Sequence, residues 1–356
     1  MTSLAAILDS LTKPAQLVET LPDGHVRCYA CAHRCTLKKG QRGVCQMRFN
    51  REGILYAPWG YVAGINIDPI EKKPFMHFLP GADALTFGML GCNFHCSFCQ
   101  NWISSQALRD PAAEGAGTYL QEMTPKTLVE YALHNNAQII ASSYNEPLIT
   151  TEWAIDIFQL AKQHGLRTVY VSNGFATPEV LQALKPCLDG FKVDLKCMSD
   201  PHYRELGGKL QVVQDAIQLA YKMGFWVEVV TLVIPGFNDS DAELTEIARF
   251  LVSVSPDIPW HVSAYHPMYK KNDAPPTSAH TLQHAAEIGQ KEGLHFVYAG
   301  NLPGRVGSLE DTHCPQCAKL LIERHGYTIG TYALSAQGTC PQCGQVIAGV
   351  WSEESK

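Results

Sequence analysis

The 356-residue sequence lacks long apolar runs, and no window approaches the roughly 18 apolar residues that a membrane-spanning helix requires. Its first residues, Met1 to Lys13, show neither the basic start and apolar centre of a secretory signal peptide nor the Arg-rich composition of a transit peptide. We therefore expect a cytoplasmic protein without a membrane segment.

Charge is also scarce, and no strong excess of basic residues is present. Charged residues make up 17% of the chain, apolar residues make up 46%, and the formal net charge is −6. A nucleic-acid-binding surface is therefore not expected, and the apolar content is typical of a globular protein rather than a disordered one. The length permits an α/β barrel with small additions, or two ordinary domains.

Cysteine, in contrast, is abundant, with 13 residues in the chain. Eleven of them fall into three local clusters with the short spacings of metal ligands, and only Cys187 and Cys197 stand alone. In a cytoplasmic chain such spacings indicate metal binding rather than a disulfide framework.

The central cluster lacks a fourth cysteine. Cys92, Cys96 and Cys99 form a C-x3-C-x2-C pattern in the segment GCNFHCSFC, residues 91–99. A cubane [4Fe–4S] cluster has four irons, so three thiolates leave one iron open to a small molecule. We interpret the triad as the ligand set of such a cluster. A three-cysteine zinc site and reduced core thiols are the alternatives.

The N-terminal region, residues 1–80, carries four cysteines within eighteen residues. They are Cys28, Cys31, Cys35 and Cys45. Four thiolates at this spacing can close a tetrahedral zinc site or hold a second iron–sulfur cluster, and the spacing does not decide between the two metals. Four buried thiols in a small domain are the alternative.

Residues 83–304 alternate between β-prone apolar runs and helical patterns. The repeated βα units predict an α/β fold with a parallel sheet, curved into a full or partial TIM-like barrel. In such folds functional groups gather at the carboxyl ends of the strands. The predicted strands are 84–90, 138–143, 167–172, 190–195, 225–233, 260–264 and 295–298, and the predicted helices are 124–135, 150–164, 178–185, 212–223, 241–254 and 279–293.

The C-terminal region, residues 311–351, contains two C-P-Q-C knuckles separated by 22 residues of β-prone sequence. Their cysteines are Cys314, Cys317, Cys340 and Cys343. This pattern predicts a zinc-ribbon-like module in which the metal replaces a core that forty residues cannot build alone. Four thiolates leave zinc no open position, so we expect a structural or partner-binding role. A further iron–sulfur cluster is the alternative.

Several of these segments together resemble one enzyme family. The triad after the first predicted barrel strand, with Phe98 just before its last cysteine, resembles the signature of the radical S-adenosylmethionine (radical SAM) superfamily. The segments CYACAHRC (28–35), GQRGVC (40–45) and CQNW (99–102), with the C-terminal knuckles, resemble AmmeMemoRadiSam-system enzymes, which are relatives of pyruvate formate-lyase activating enzymes. The resemblance covers nearly the whole chain.

The resemblance implies a specific chemistry. Family members bind S-adenosylmethionine at the open iron and cleave it with one electron, which gives methionine and a 5′-deoxyadenosyl radical that abstracts hydrogen from a substrate. An electron donor is therefore implied, and the substrate is a small molecule or, as for activating enzymes, a protein glycine. Memo-like and AMMECR-like proteins are the partners that the resemblance suggests. The alternative from another functional class is a scaffold or binding protein that is stabilised by its metals and has no catalytic activity.

The resemblance also assigns two cofactor contacts at predicted strand ends. Glu146 stands where relatives carry a Gly-Gly-Glu-like segment that receives the methionine ammonium, although Tyr144 and Asn145 replace the two glycines here. Capping of the following helix is the alternative for Glu146. Asn173, at the end of the third predicted strand, is assigned to the ribose.

Three further positions complete the predicted cofactor site. Asp194 and Lys196 close the fourth predicted strand in an Asp-Leu-Lys segment and address the ribose and carboxylate, or pair with each other. Phe98 is assigned to the cofactor site by its place in the triad. Late in the barrel, His261, Tyr265, His266, Tyr269 and Asn301 are candidate substrate contacts, with ordinary packing as the alternative.

Overall fold

The computed structural model describes residues 3–352, with the side chains of residues 114 and 119 excepted. Its N-terminal part contains two small antiparallel sheets. The elements are helix α1 (Leu4–Ser10) and strands β1 (Thr12–Pro14), β2 (Val18–Thr20), β3 (Val26–Cys28), β4 (Thr36–Leu37), β5 (Phe49–Arg51), β6 (Ile54–Pro58) and β7 (Tyr61–Val62). One sheet has the order β1-β6-β5 and the other β2-β3-β4. Both place cysteine-bearing loops beside the central sheet.

The central sheet has eight strands in the order β16-β15-β14-β13-β12-β11-β9-β8. All neighbours are parallel except β8, which runs antiparallel to β9. The strands are β8 (Gly64–Pro69), β9 (Asp83–Gly88), β11 (Ile139–Ser142), β12 (Arg167–Ser172), β13 (Gly190–Asp194), β14 (Trp226–Val233), β15 (Trp260–Ala264) and β16 (Val297–Gly300), while β10 (Gln121–Glu122) pairs with β7. The predicted α/β class is confirmed, and β8 and β16 are the two edges of an open, barrel-like sheet.

Helices follow most of the parallel strands, as the alternating sequence pattern predicts. They are α2 (Trp102–Ser105), α3 (Pro125–His134), α4 (Thr151–Gln163), α5 (Pro178–Leu184), α6 (Asp200–Glu205), α7 (Leu210–Lys222), α8 (Asp241–Val254) and α9 (Ala279–Lys291). Short 3-10 helices cover Pro22–Gly24, Ile70–Lys72, Pro111–Tyr119, Pro147–Thr150 and Gly307–Glu310. Among the described residues, none of the helices has the length and apolar character needed to cross a bilayer.

Local chemistry explains where the larger helices begin. Thr124 and Thr177 accept hydrogen bonds from the third residue beyond them, and each is followed by a proline at the first helical position. Ser240 caps α8 in the same way. Asn238 and Asp239, just before the cap, hold the preceding turn, because their side chains accept from the Ile234 and Gly236 amides.

The segment after β8 fills the lower interior of the curved sheet. Ile70, Phe75 and Phe78 are buried against Ala84 and Val169 on the concave face. Strand β8 precedes the predicted barrel start at residue 83, yet it pairs with β9 over its full length. The sheet interior is therefore plugged at the bottom, which leaves the carboxyl ends of the strands for chemistry.

The C-terminal module is a three-stranded antiparallel sheet of β17 (Thr312–His313), β18 (Leu320–His325) and β19 (Thr328–Tyr332). It lies on the open side of the central sheet. Arg324 is buried and donates to the Met76 carbonyl (2.8 Å) and to the Thr312 hydroxyl (2.7 Å). His77 is fully buried and contacts Phe296 and Trp351, so the module and the plugging segment share one interface.

Candidate active site

The three triad cysteines lie in the loop that leaves strand β9. Cys96 is buried, while Cys92 and Cys99 are partly exposed. Burial raises the pKa of the Cys96 thiol to about 11, although the Lys196 ammonium opposes the shift. Free thiols in this pocket are therefore protonated at neutral pH, and a bound metal has to displace their protons.

A glycine lets this loop lie against the N-terminal region. Gly91 has φ +90°, and an added Cβ would approach Met47 Cγ to 2.3 Å. Its amide donates to the Ser104 carbonyl at 2.8 Å. The triad loop thus enters its turn in a conformation that only glycine adopts readily.

Glu146 is buried at the end of β11 and ties together two strand ends. Its Oε1 accepts from Ser172 Oγ (2.7 Å) and from the Leu148 amide (3.1 Å), and its Oε2 accepts from the Asn173 amide (2.8 Å). Burial raises the pKa of Glu146 to about 7 against these hydrogen bonds. The capping alternative therefore describes part of its role, and the methionine-ammonium contact stays a prediction.

Asn173 supports the triad loop directly. Its Nδ2 donates to Asn93 Oδ1 at 2.7 Å and lies 3.9 Å from Cys92 Sγ, and its Oδ1 accepts from the Phe175 amide at 3.0 Å. Both ends of the amide are engaged within the protein. A ribose contact at Asn173 stays a prediction, while its contact with the triad loop had no signal in the sequence.

Asp194 and Lys196 lie beside the triad and form the ion pair that the sequence left as one alternative. Asp194 accepts from Lys196 Nζ at 3.3 Å and from Lys192 Nζ more closely. Burial raises the pKa of Asp194, but the two ammonium groups outweigh it and lower the pKa to about 2. The Asp194 carboxylate keeps about a third of its surface exposed, at 34%. It can therefore still meet a polar ligand.

Phe98 connects the triad loop to the turn after β14. Its ring packs edge-on against Phe237, with centroids 5.6 Å apart, and Phe237 stacks on His202 at 4.5 Å. Asn238 donates to the carbonyls of Lys196 (2.7 Å) and Leu232 (2.9 Å), which fixes this turn beside the end of β13. An apolar wall therefore faces the site, and the assignment of Phe98 to the cofactor stays a prediction.

Tyr144 occupies a backbone conformation that favours glycine. Its φ is +72°, a left-handed conformation that is costly for a bulky residue and concentrates at functional sites. The Tyr144 hydroxyl accepts from Lys73 Nζ and Asn66 Nδ2, each at 3.3 Å. Asn145 uses its Oδ1 to accept from the Met89 amide at 3.0 Å. The segment keeps the turn without the glycines because side-chain contacts hold it.

The late candidate residues are split between packing and a cavity. Tyr265 is buried and donates to the Lys271 carbonyl at 2.5 Å, and Tyr269 stacks on Trp102 at 5.0 Å. A cavity of about 150 Å³ opens between the sheet edge at β16 and the segment after β8. Its lining includes Glu71, His261, Ser263, Gly300, Asn301 and Tyr327.

The four C-terminal cysteines converge on one point. Cys314 Sγ and Cys343 Sγ are 3.6 Å apart, Cys317 Sγ and Cys340 Sγ are 3.7 Å apart, and all four sulfurs lie within 4.8 Å of one another. A tetrahedron of thiolates at Zn–S distances near 2.3 Å has edges of about 3.8 Å. This part of the chain contains a preformed metal-binding cluster.

The N-terminal cysteines surround a cavity instead. Cys28, Cys31, Cys35 and Cys45 line one small cavity together with Arg48. Among the described residues, the C-terminal group is the one in which three or more sulfurs come within 4.8 Å of each other. The N-terminal sulfurs are therefore spread more widely, as are those of the triad.

Sequence reasoning missed two basic residues at this site. Lys192 is buried and pairs with Asp194, and its position within a strand gave no motif. Arg109 donates to the carbonyl oxygens of Cys92 and Phe94, each at 2.7 Å. Its contacts are 15 and 17 residues away in sequence, so no local pattern could have indicated them.

Comparison with known proteins identifies the superfamily of the chain. The model of the Radical SAM superfamily matches residues 87–251, which span the triad and the strand ends described above. The uncharacterized protein MJ0808 of Methanocaldococcus jannaschii is 38% identical over 338 residues, covering 94% of this chain and 98% of that protein. The chain belongs to the radical SAM superfamily. This confirms the family that the triad indicated.

Other radical SAM proteins match more distantly. The pyruvate formate-lyase-activating enzyme of Clostridium pasteurianum is 24% identical over 177 residues, covering 49% of this chain and 71% of that enzyme. A crystal structure of a domain of the pyruvate formate-lyase-activating enzyme from Bacteroides vulgatus covers 45% of this chain and 98% of its own, with 21% identity and a TM-score of 0.40.

The residues at the triad fit the [4Fe–4S] cluster and S-adenosylmethionine that radical SAM membership implies. Three thiols are available, and among the described side chains Asn93 Nδ2 is a buried donor without a hydrogen-bond partner. A donor beside Cys92 suits an anionic cluster, whose sulfurs accept hydrogen bonds. The donor set and the unpaired amide therefore match the implied group.

Proposed function

We propose that this radical SAM enzyme reductively cleaves S-adenosylmethionine at a [4Fe–4S] cluster held by Cys92, Cys96 and Cys99, and uses the 5′-deoxyadenosyl radical to abstract hydrogen from a substrate. The observation that carries the proposal is the position of three thiols beside Glu146 and Asp194 at the carboxyl ends of the parallel strands. When bound, the cluster supplies the electron and its open iron binds the cofactor.

The remaining contributions come from the chain itself. Asp194 keeps an exposed, ionised face for hydroxyl or ammonium groups, and Lys196 places a positive charge beside the triad sulfurs. Glu146 orients Asn173, which in turn holds the triad loop through Asn93. Asp194, Lys196, Glu146, Asn173 and Phe98 are thus our proposed cofactor-binding residues.

For the C-terminal cluster we propose structural zinc, since its sulfur separations of 3.6 and 3.7 Å suit a single tetrahedral ion. The division into an N-terminal region (1–80), a barrel (83–304) and this module (311–351) is likewise a proposal. A reducing, cytoplasmic compartment suits the thiol-rich sites.

We propose that substrate enters through the cavity between the sheet edge at β16 and the segment after β8. Ser263 and Asn301 lie at the carboxyl ends of their strands and line it, and His261 lies deeper. A protein glycine is the second candidate substrate, because relatives include enzymes named for activating glycyl-radical enzymes. Memo-like and AMMECR-like proteins remain proposed partners.

The test is anaerobic reconstitution with iron and sulfide, reduction, and addition of S-adenosylmethionine. We expect 5′-deoxyadenosine and methionine from the unaltered protein, and a change in the electron paramagnetic resonance spectrum when the cofactor binds. Cys96→Ala should lose both, because one of three cluster ligands is gone. Failure of the unaltered, cluster-loaded protein to form 5′-deoxyadenosine would favour the scaffold alternative.

Cys197→Ala is the matched control, because Cys197 is also a fully buried thiol near the triad. Its S–H donates to the Ser199 carbonyl at 3.5 Å, so it is already engaged. We expect this variant to retain the cluster and the cleavage. Loss of the cofactor-sensitive signal in Cys197→Ala would instead make Cys197 a fourth ligand and remove the open iron. Deuterium transfer from candidate substrates into 5′-deoxyadenosine then separates a small molecule from a protein target.

A further inference from the structure

The N-terminal region that carries Cys28, Cys31, Cys35 and Cys45 contacts the triad loop. His33, between Cys31 and Cys35, contacts the Asn93 carbonyl through Nε2 at 2.9 Å. Because a carbonyl oxygen only accepts, Nε2 carries the proton. The ring of His33 also packs on Phe175, whose ring contacts Phe94 at 5.3 Å. The two cysteine sites therefore share a wall.

One guanidinium group connects the two sites by hydrogen bonds. Arg109 Nη2 donates to the Cys92 carbonyl at 2.7 Å and also to the carbonyl of Val44, the residue before Cys45. Since a single nitrogen contacts both oxygens, these oxygens are at most roughly 6 Å apart. The backbone of the triad residue Cys92 is thus linked, through Arg109, to the backbone of Val44 next to Cys45.

The N-terminal sulfurs are spaced more widely than the C-terminal ones. They line one cavity, and among the described residues no three of them lie within the 4.8 Å that holds all four C-terminal sulfurs. A cubane holds its four thiolates on four different irons and so keeps them further apart than a zinc ion does. The same chain therefore contains one compact group of sulfurs at the C-terminal site and wider groups at the N-terminal site and the triad.

Donors around these sulfurs suit an anionic cluster. The Val44 amide lies 3.5 Å from Cys35 Sγ, and the buried Arg48 guanidinium lies 3.8 Å from Cys28 Sγ. Such hydrogen bonds to ligand sulfurs stabilise the reduced cluster and tune its potential. Cys28, Cys31 and Cys45 are buried, while Cys35 is partly exposed. The cluster would thus face solvent on one side and the triad loop on the other.

We infer that Cys28, Cys31, Cys35 and Cys45 bind a second [4Fe–4S] cluster that passes electrons to the triad cluster. One electron moves from a low-potential one-electron donor protein to the N-terminal cluster, which is reduced while the donor is oxidised. The same electron then moves to the triad cluster, so that the N-terminal cluster returns to its oxidised state. No proton or bond changes in either transfer. The inference rests on the proposed function, because it supplies the electron for that cleavage.

Metal analysis of the unaltered, anaerobically reconstituted protein is the first test. We expect about eight iron atoms, about eight sulfides and about one zinc per chain, and about four iron atoms in Cys31→Ala. Cys187→Ala, which removes another buried thiol, should keep all eight. About four irons with about two zincs in the unaltered protein would show a zinc site at the N-terminal cysteines and overturn the inference.

The second test reads electron transfer without relying on catalysis. Rapid freezing after mixing the unaltered protein with reduced flavodoxin should show a cluster signal insensitive to S-adenosylmethionine before the sensitive one appears. A sensitive signal that appears first would overturn the relay. This reading holds even if the proposed cleavage fails, so the two failures are distinguishable.

The third test compares reductants during S-adenosylmethionine cleavage. The rate with reduced flavodoxin divided by the rate with titanium(III) citrate should fall at least tenfold in Cys31→Ala, because the small reductant can reach the triad cluster without the relay. The same ratio should not change in Cys187→Ala. An unchanged ratio in Cys31→Ala, with the cleavage intact, would retain the proposed function and remove the relay.

Discussion

At the scale of single residues, buried charge holds the N-terminal region to the barrel. Arg48 and Glu152 form a fully buried ion pair, and Arg48 Nε also donates to the Ile149 carbonyl at 2.8 Å. Glu152 Oε1 accepts from the amides of Gln16 and Leu17, each at 3.2 Å. The charges of Arg48 and Glu152 are thus compensated only while the N-terminal region is packed against the barrel.

Arg48→Met should destabilise the protein by about 3–5 kcal/mol, because it leaves the Glu152 carboxylate buried without its partner. Urea unfolding of the reconstituted protein measures the difference. Lys39→Met is the control, since Lys39 and Glu52 form an exposed pair in the same region at 3.7 Å. That variant should cost less than about 1 kcal/mol. Equal costs for both variants would mean that the buried pair contributes no more than a surface pair.

His77 gives the interface with the C-terminal module a dependence on pH. Its Nδ1 donates to the Ala348 carbonyl at 2.7 Å, and its Nε2 accepts from the Tyr298 hydroxyl at 2.6 Å. Only the neutral ring allows Nε2 to accept, because both nitrogens of a protonated histidine are donors. Burial lowers the pKa of His77 to about 4, although Glu228 opposes the shift.

Acidification should therefore destabilise the protein. Between pH 6.5 and about 4, His77 is protonated in the unfolded chain and neutral in the folded protein. Unfolding is therefore favoured as the pH falls. The full effect is up to about 3 kcal/mol. His77→Gln should flatten this part of the pH profile of unfolding free energy, whereas His164→Gln, at an exposed position, should not. Parallel profiles for His77→Gln and the unaltered protein would contradict the assignment.

At the scale of elements, regular strands and helices could be read from the sequence, and their irregular neighbours could not. Strands β12 and β15 and helix α8 have the predicted bounds, because apolar runs and caps define them locally. Strand β8 was missed, although Ile65 and Ile67 alternate along it, because it lies before the triad and runs antiparallel. Short α6 was also missed.

The candidate site divides in a similar way. Spacing alone indicated the triad and the C-terminal cluster, since their ligands are local. Arg109 acts through residues that are distant in sequence, and Lys192 acts through Asp194, two residues along the same strand, so no motif marks either. The hydrogen-bond partners of Glu146 and Asn173 within the protein could not be predicted from the sequence, because they depend on the pairing of β11 with β12.

We expect the C-terminal sheet to depend on the zinc proposed for its four cysteines. Beyond the cysteines, only a few apolar side chains, among them Leu321, Ile322 and Ile347, form its core. Cys340→Ser should release about one zinc per chain and increase hydrogen exchange in β17, β18 and β19, while the iron content stays unchanged. Gln342→Ala, an exposed change in the same knuckle, should do neither. Loss of iron from Cys340→Ser, with zinc absent from the unaltered protein, would mean that this cluster binds iron instead.

At the scale of the whole molecule, the open sheet leaves one side for a substrate. The C-terminal module and the segment after β8 border the cavity there, so the opening is narrowed without being filled. Ser263 is buried at its wall, with Gly300 beside it on the next strand. A larger side chain at Ser263 therefore projects into the proposed substrate space.

Ser263→Phe should block substrate and leave the cofactor site intact. We expect deuterium transfer from substrate to fall at least tenfold, while slow uncoupled formation of 5′-deoxyadenosine continues. Ser253→Phe, on the exposed face of α8, is the control and should keep the transfer. Normal transfer in Ser263→Phe would place the substrate elsewhere. Mass spectrometry of 5′-deoxyadenosine measures both quantities.

The long sequence separation of the contacts around the N-terminal cysteines has a consequence for biosynthesis. Arg48 meets Glu152 across 104 residues, and Tyr29 accepts from Thr177 across 148. During translation the N-terminal cysteines therefore emerge well before the residues that pack around them. Those residues are present only when about half of the chain has emerged. The last site, whose cysteine pair Cys314 and Cys343 is separated by 29 residues, can close as soon as it leaves the ribosome. The site made first is thus expected to receive its metal late.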